Sequence, residues 1–394
     1  MPSAIEVALR RVTPALILCC ACASAEPVVT TTAARPGRAD ARVVAYVTSW
    51  SAPVRIDTRI VTHVNFAFAT IDDRGRVTLA AGAPATRLRE LVAVRDRAPT
   101  VRVLASVGGW GAEGFSDAAL DEPSRARFAA SVVDLVRDYR LDGVDLDWEY
   151  PGQDVAGIKA RPEDRTNFTR LLADVRAALD AESRRVQREP YLLTIATADR
   201  EYFDHVDMDR LHPYVDWINV MAYDFYNSLT STTGHHAGLR RAATAPATDR
   251  WGEAAIEQHL AAGVPPRKLV LGVAFYGRRF EEVAAANEGL NQPYGRYGGE
   301  HAYGELVERY VGRAGYVRHW DEVAGAPWLW NASTRSFITY DDPESIRRKA
   351  RFAGALGGVM FWELSQDSAD AALLEAVKAG LAEAAAATPA ARVR

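Results

Sequence analysis

Asp142-Gly143-Val144-Asp145-Leu146-Asp147-Trp148-Glu149 is a short run in which acidic and apolar residues alternate. Side chains alternate across a β-strand, so Asp145, Asp147 and Glu149 share one face. Val144, Leu146 and Trp148 share the other, the face a helix layer covers. An acidic strand lying on the surface by chance would not carry that apolar face. The strand is therefore predicted to be buried, with three carboxylates side by side. Like charges repel, and burial strips their hydration. Folding gains nothing from this, whereas chemistry does: adjacent carboxyls hold one proton at a raised pKa. A hard-cation site is the second reading of the same residues, since Asp and Glu clusters bind Mg²⁺ or Ca²⁺. The segment alone leaves both open.

Similar apolar runs lie on either side of it. They fall at 42–48, 62–69 and 101–107, then at 191–198, 216–223, 269–276 and 357–363. Helical periodicity appears between several of them. Phe128, Val132, Leu135, Val136 and Tyr139 follow one such stripe. Phe168, Leu171, Leu172, Val175 and Leu179 follow another, after a start at Pro162. Strands alternating with helices predict an α/β fold, a (β/α)8 TIM barrel. No dinucleotide fingerprint follows the first strand, which weighs against an open doubly wound sheet. The interval from 278 to about 341 is too long for one connection. It is rich in Tyr and Trp and holds strand-like pieces such as 336–340. It is predicted to be a small α+β insertion after the seventh strand, growing from the active-site face, where it can wall a cleft.

The ends of the chain read differently. Arg10 and Arg11 precede an apolar run from Val12 to Ala23, and Ala23-Ser24-Ala25 fits a cleavage site, so residues 1–25 read as an export signal. Cys19, Cys20 and Cys22 all lie within it. Cleavage after Ala25 leaves a secreted protein without disulfides, while Cys22 as an acylated residue is the lipid-anchored alternative. Residues 26–40 read as a linker. The barrel domain is predicted over 41–383, and 384–394 are predicted to form an Ala-rich, disordered tail with no core pattern. The formal net charge of −4 over 394 residues gives no reason to expect nucleic acid or a membrane as an obligate partner. A neutral polymer fits that balance, and a monomer is expected.

With these elements placed, residues 142–149 match DGxDxDWE at every fixed position, and Tyr150-Pro151 extends the match. Ser106-Val107-Gly108-Gly109 fits SxGG, and Met221-Ala222-Tyr223-Asp224 fits MxYD. Thr233-Gly234-His235-His236-Ala237, Phe275-Tyr276-Gly277-Arg278 and Phe361-Trp362-Glu363 complete the set. By these motifs the chain resembles glycoside hydrolase family 18, the chitinase family, in its subgroup with an insertion domain. The strand-borne motifs fall at the C-terminal ends of predicted strands, where barrel enzymes place chemistry.

The resemblance implies a retaining, substrate-assisted hydrolysis of chitin or N-acetylglucosamine oligosaccharides, an exception to the two-carboxylate scheme. Glu149 is the implied acid and then base, and the acetamido oxygen of the substrate is the nucleophile. Asp147 is implied to bond the acetamido N–H, with Asp145 deeper and sharing a proton with it. Tyr223 is implied to hold the acetamido oxygen. Asp224 is implied to bind the distorted sugar, Trp362 to form its floor, and Trp110 to line the leaving-group side. Phe66, Gly109, Met221, Tyr276 and Arg278 are expected to line the cleft. The mechanism needs no metal and no cofactor.

Blander readings stand beside these. Tyr223 and Trp362 also suit barrel core, and Trp50 suits either packing or sugar. His235 and His236 lack metal spacing and read as structural. Ser106 has no nucleophile-elbow pattern and reads as packing beneath the carboxylates. Sequons occur at Asn167 and Asn331. An endo-β-N-acetylglucosaminidase, a peptidoglycan hydrolase or a non-catalytic chitin-binding lectin are the alternative functions.

Overall fold

The computed structural model describes residues 41–80 and 82–387. The expected export segment and linker lie outside the described residues. The strands, in chain order, are β1 (Arg42–Thr48), β2 (His63–Ile71), β3 (Val77–Thr78), β4 (Arg102–Gly108), β5 (Gly143–Asp147), β6 (Leu192–Thr197) and β7 (Trp217–Val220). Then come β8 (Leu269–Ala274), β9 (Tyr276–Glu281), β10 (Arg296–Ala302), β11 (Val317–Asp321), β12 (Ala326–Asn331), β13 (Ser336–Tyr340) and β14 (Gly358–Trp362). Eight of them pair in parallel in the order β1–β2–β4–β5–β6–β7–β8–β14, and β14 pairs with β1 to close a barrel. The short β3 lies antiparallel against β2.

Strict alternation decides which residues face the helices. Val144, Leu146 and Trp148 are buried in the layer between barrel and helices. Trp148 stacks on Phe115 at 5.2 Å and meets the edge of Phe168 at 5.4 Å. The helices are α1 (Ala83–Val92), α2 (Phe115–Ala119), α3 (Glu122–Asp138), α4 (Asp164–Arg185), α5 (Met208–Leu211), α6 (Gly252–Ala261), α7 (Tyr303–Arg309), α8 (Pro343–Ala353) and α9 (Ala372–Ala387). The predicted stripes bury Phe128, Val132, Leu135 and Val136 on α3, and Phe168, Leu171, Leu172, Val175 and Leu179 on α4. Asp121 caps α3 by accepting from the Ser124 N–H, one of the donors a helix start leaves unpaired. α4 begins at Asp164 rather than Pro162, because residues 161–164 close a turn first.

Inside the barrel, the lower layers are apolar: Val44, Leu104, Trp217, Val270 and Met360. Polar residues collect above them, toward the strand C-termini. The insertion follows β8, the seventh strand of the barrel. It is a five-stranded antiparallel sheet in the order β10–β9–β13–β12–β11, with α7 between β10 and β11. Asp342 starts the return to the barrel with a capping box on α8. α9 runs to Ala387, past residue 384 where the sequence pattern ends. The alanines there carry no apolar stripe but strongly favour helix on their own. Residues 388–394 of the expected tail lie outside the described residues.

Candidate active site

The side chains of the site come from the barrel strands and from the residues just past their C-terminal ends. Asp145, buried in the middle of β5, is reached from four other strands. Its Oδ2 accepts from Tyr46 on β1 and Ser106 on β4, both at 2.7 Å. Its Oδ1 accepts from Thr194 on β6 at 2.5 Å and Asn219 on β7 at 3.1 Å. Burial pushes its pKa up, while the four hydrogen bonds favour the charged form. Ser106 thus sits beneath the carboxylates.

This arrangement bears on two of the sequence readings. A carboxylate offers about four lone-pair positions, and the four donors fill those of Asp145. No hydrogen bond joins Asp145 to Asp147 among the described residues, and Asp145 acts on Asp147 through its charge. The same saturation removes Asp145 as a cation ligand. No group of three His, Cys, Asp or Glu side chains among the described residues converges with metal-binding geometry.

Asp147 is buried at the end of β5, and its Oδ1 has no hydrogen-bond partner among the described residues. Burial, then the charges of Glu149 and Asp145, raise its pKa well above the usual carboxylate range. Glu149 lies just past the ladder and is partly exposed. Burial of its carboxyl raises the pKa to about 7, opposed by a hydrogen bond with Tyr150 and aided by the charge of Asp224. The peptide bonds Ala67–Phe68, Glu149–Tyr150 and Trp362–Glu363, all at the barrel mouth, are cis.

Tyr223 and Asp224 follow β7. The Tyr223 hydroxyl makes only a weak contact with the Met360 sulfur at 3.8 Å. Burial and the surrounding carboxylates raise its pKa well above the usual tyrosine value, so it remains a neutral donor. Asp224 accepts from the Tyr276 hydroxyl at 2.7 Å and from Arg278 Nε and Nη2, both at 2.5 Å. Burial alone would raise the Asp224 carboxyl, but His236 and the Arg278 guanidinium outweigh it and hold it well below its ordinary value. Asp224 is therefore a locked anion, with Tyr276 and Arg278 holding it. His236 is fully buried with its Nδ1 3.7 Å from Asp224, and His235 lies 3.3 Å from Asp321.

Aromatic rings line the mouth. Trp362 stacks on Phe68 at 5.6 Å and 18° and approaches Tyr46 at 5.6 Å. Met221 packs into the same interior group. Trp110 stands 57% exposed with its ring edge toward Tyr150, and Trp50 stands 68% exposed beside Phe68.

Phe66 is not part of this lining. It is fully buried in the layer facing the helices, with Val64. The residue of β2 that reaches the site is Phe68, because a register shift between Ala67 and Ala69 breaks the alternation. Gly109 contributes by what it lacks. It has φ of +94°, and a Cβ there would lie 2.6 Å from the Phe68 ring. Its N–H donates to the Asp147 carbonyl at 2.9 Å. It thus seats Phe68 and braces the end of β5. Asn167 and Asn331 are both almost fully buried and hydrogen-bonded, so as sequons they are closed in the folded protein.

Sequence reading missed Tyr46, Phe68, Thr194 and Asn219. Three of these carried a usable signal: a polar group at the inward phase of an otherwise apolar strand. Phe68 carried none, since its orientation depends on the bulge.

Comparison with known proteins agrees with this geometry. Residues 42–367 match the family described as Glycosyl hydrolases family 18. Chitinase A1 of Niallia circulans is 36% identical, over 86% of this chain and 59% of its own. The chain therefore spans under two thirds of that relative. Chitotriosidase-1 of Mus musculus is 32% identical, over 83% of this chain and 73% of its own. A solved structure of a family 18 N-acetylglucosaminidase from Paenibacillus barengoltzii superposes with a TM-score of 0.81 at 39% identity, covering 86% of this chain and all of that one. With a family match over nearly the whole barrel and a relative at 32% identity, the chain belongs to glycosyl hydrolase family 18.

Proposed function

We propose that the protein hydrolyses β-1,4 bonds between N-acetylglucosamine units of chitin or its oligosaccharides, with retention and with the substrate supplying the nucleophile. The observation that carries this reading is that Glu149 is the one carboxyl of the site both partly exposed and protonated near neutral pH. A two-carboxylate scheme needs a second, free carboxylate as nucleophile or base. Asp145 is saturated by four donors, Asp224 is locked by Arg278 and Tyr276, and Asp147 is buried with a raised pKa. The nucleophile is then the acetamido oxygen of the sugar itself.

Glu149 donates its proton to the glycosidic oxygen, and the acetamido oxygen attacks the anomeric carbon to form an oxazolinium. Glu149, now ionised, takes a proton from the water that opens it. The unpartnered Oδ1 of Asp147 accepts the acetamido N–H and so holds the acetamido group in place. The underused hydroxyl of Tyr223 holds the acetamido oxygen in line. Trp362, braced by Phe68 and Tyr46, offers a flat apolar floor to the sugar ring.

Chitohexaose is the substrate that tests this. Glu149→Gln should release no product while still binding the oligomer, and near-normal turnover would sink the assignment. Product lengths from the unmodified protein also weigh a second reading. Likeness to an N-acetylglucosaminidase favours release of single sugars, whereas an endo-acting chitinase releases oligomers. The N-terminal signal pattern further supports export from the cell, which fractionation of the expressing host tests.

A further inference from the structure

Of the four donors that hold Asp145, three are hydroxyls, on Tyr46, Ser106 and Thr194. A hydroxyl rotates and can turn from donor to acceptor. A proton on Asp145 needs one partner to turn from donor to acceptor, which forfeits that donor, and a partner that cannot turn leaves fewer places for the proton.

Asn219 cannot turn. Its amide oxygen accepts from the indole Nε1 of Trp217 at 3.0 Å, in a fully buried pair. An indole N–H is a donor only, so the Asn219 oxygen must face Trp217 and the amide nitrogen must face Asp145. The indole is itself held: the His63 ring meets it edge-on at 4.8 Å, and the Arg42 guanidinium lies over it at 4.9 Å. Asn219 Nδ2 also approaches the Tyr46 hydroxyl at 3.5 Å, which turns that hydroxyl's own proton toward Asp145.

We propose that Asn219, oriented by Trp217, is a positioning residue that fixes Asp145 as a carboxylate and thereby keeps the proton of the acidic strand on the Asp147–Glu149 side, where the substrate meets it. A proton on Asp145 Oδ1 would point at an N–H that cannot move away. The charge so maintained on Asp145 opposes ionisation of Asp147. The other titratable groups facing Asp145 are Tyr46 from β1, Tyr223 from the end of β7 and Asp147 on its own strand. The proposal rests on the hydrolase reading for its consequence in turnover, but not for the titration of Asp145 itself.

The test uses Asn219→Leu, which keeps the volume and removes both polar groups, and Trp217→Phe, which frees the amide to flip. The carboxyl carbon of Asp145, assigned by ¹³C difference against Asp145→Asn, reports its titration without any substrate. Its midpoint should move upward by about one pH unit in Asn219→Leu and by less in Trp217→Phe. With chitohexaose, kcat should fall about tenfold or more in Asn219→Leu while KM changes little, and the acid limb of the profile should move upward with the midpoint. Asn219→Ser, which restores one hydroxyl donor, should recover part of the loss. An unmoved Asp145 midpoint in both variants overturns the proposal. A moved midpoint in a protein that never cleaves chitohexaose upholds the positioning and overturns the hydrolase reading instead. Should Asn219→Leu fail to fold, Trp217→Phe gives the same two outcomes.

Discussion

Glu149 lies where burial and a neighbouring charge act together, and that makes it costly to the fold as well as useful. Its ordinary pKa is 4.5, and in the protein it is about 7. Below pH 4.5 it is protonated both folded and unfolded, and any stability its neutral form gives is fully present. As the pH rises toward 7 the unfolded chain releases the proton and the folded chain holds it. Stability is lost across that window and stays lost above it. Glu149→Gln never carries the charge. It should match the unmodified protein in urea unfolding at pH 4 and exceed it by about 3 kcal/mol at pH 8. Equal stabilities at both pH values would mean that the site does not strain this carboxyl. Activity has the same sign, since the acid must be protonated: kcat falls as the pH rises through about 7. The placing of Glu149 on one face with Asp145 and Asp147 was legible from alternation, whereas its role as acid came only with the resemblance. The choice of Phe66 over Phe68 was not legible, because a bulge leaves no trace in the pattern of apolar residues.

The elements show why the barrel was readable and its attachments less so. A parallel strand covered on both faces must be apolar nearly throughout, so each of the eight runs announced itself. Their ends were overestimated at 142–149 and 216–223, where the ladder stops at Asp147 and Val220. Of the residues left over, Glu149, Met221 and Tyr223 belong to the mouth, while Trp148 and Ala222 pack outward toward the helices. The join between insertion and barrel depends on a contact no pattern reveals. Lys349 of α8 donates to both oxygens of Asp341, which follows β13, at 2.6 Å each. Lys349 is 2% exposed and Asp341 1%. Burial depresses the lysine pKa and the aspartate charge supports it. Removing one partner strands the other in a dry place. Lys349→Met should therefore cost about 3 kcal/mol or more in unfolding experiments, whereas Lys349→Met combined with Asp341→Leu should recover most of it. A single variant as stable as the parent would show that the pair is not what ties α8 to the insertion.

At the scale of the whole molecule, the proposed substrate is a polymer that offers no charge, and the protein carries only −4 overall. Steering by field is then unavailable, and contact area must do the gripping. Trp50 and Trp110 are among the most exposed large rings of the described residues, at 68% and 57%. They belong to different ring pairs, Trp50 with Phe68 and Trp110 with Tyr150. Leaving indoles in water has no benefit to folding, but a flat apolar face suits the C–H side of a pyranose. Neither ring touches Glu149, Asp147 or Tyr223 in a hydrogen bond, so each should act on binding rather than on the bond being cut. Trp50→Ala and Trp110→Ala should each raise KM for chitohexaose about fivefold and leave kcat within about twofold. Because the two pairs share no partner, the double variant should raise KM by about the product of the single effects. On a dimer or trimer the losses should shrink, since a short substrate cannot reach both rings at once. If either single variant lost kcat with KM intact, its indole would belong to the catalytic centre and not to the grip. If the double variant were no worse than the singles, the two rings would be holding the same sugar.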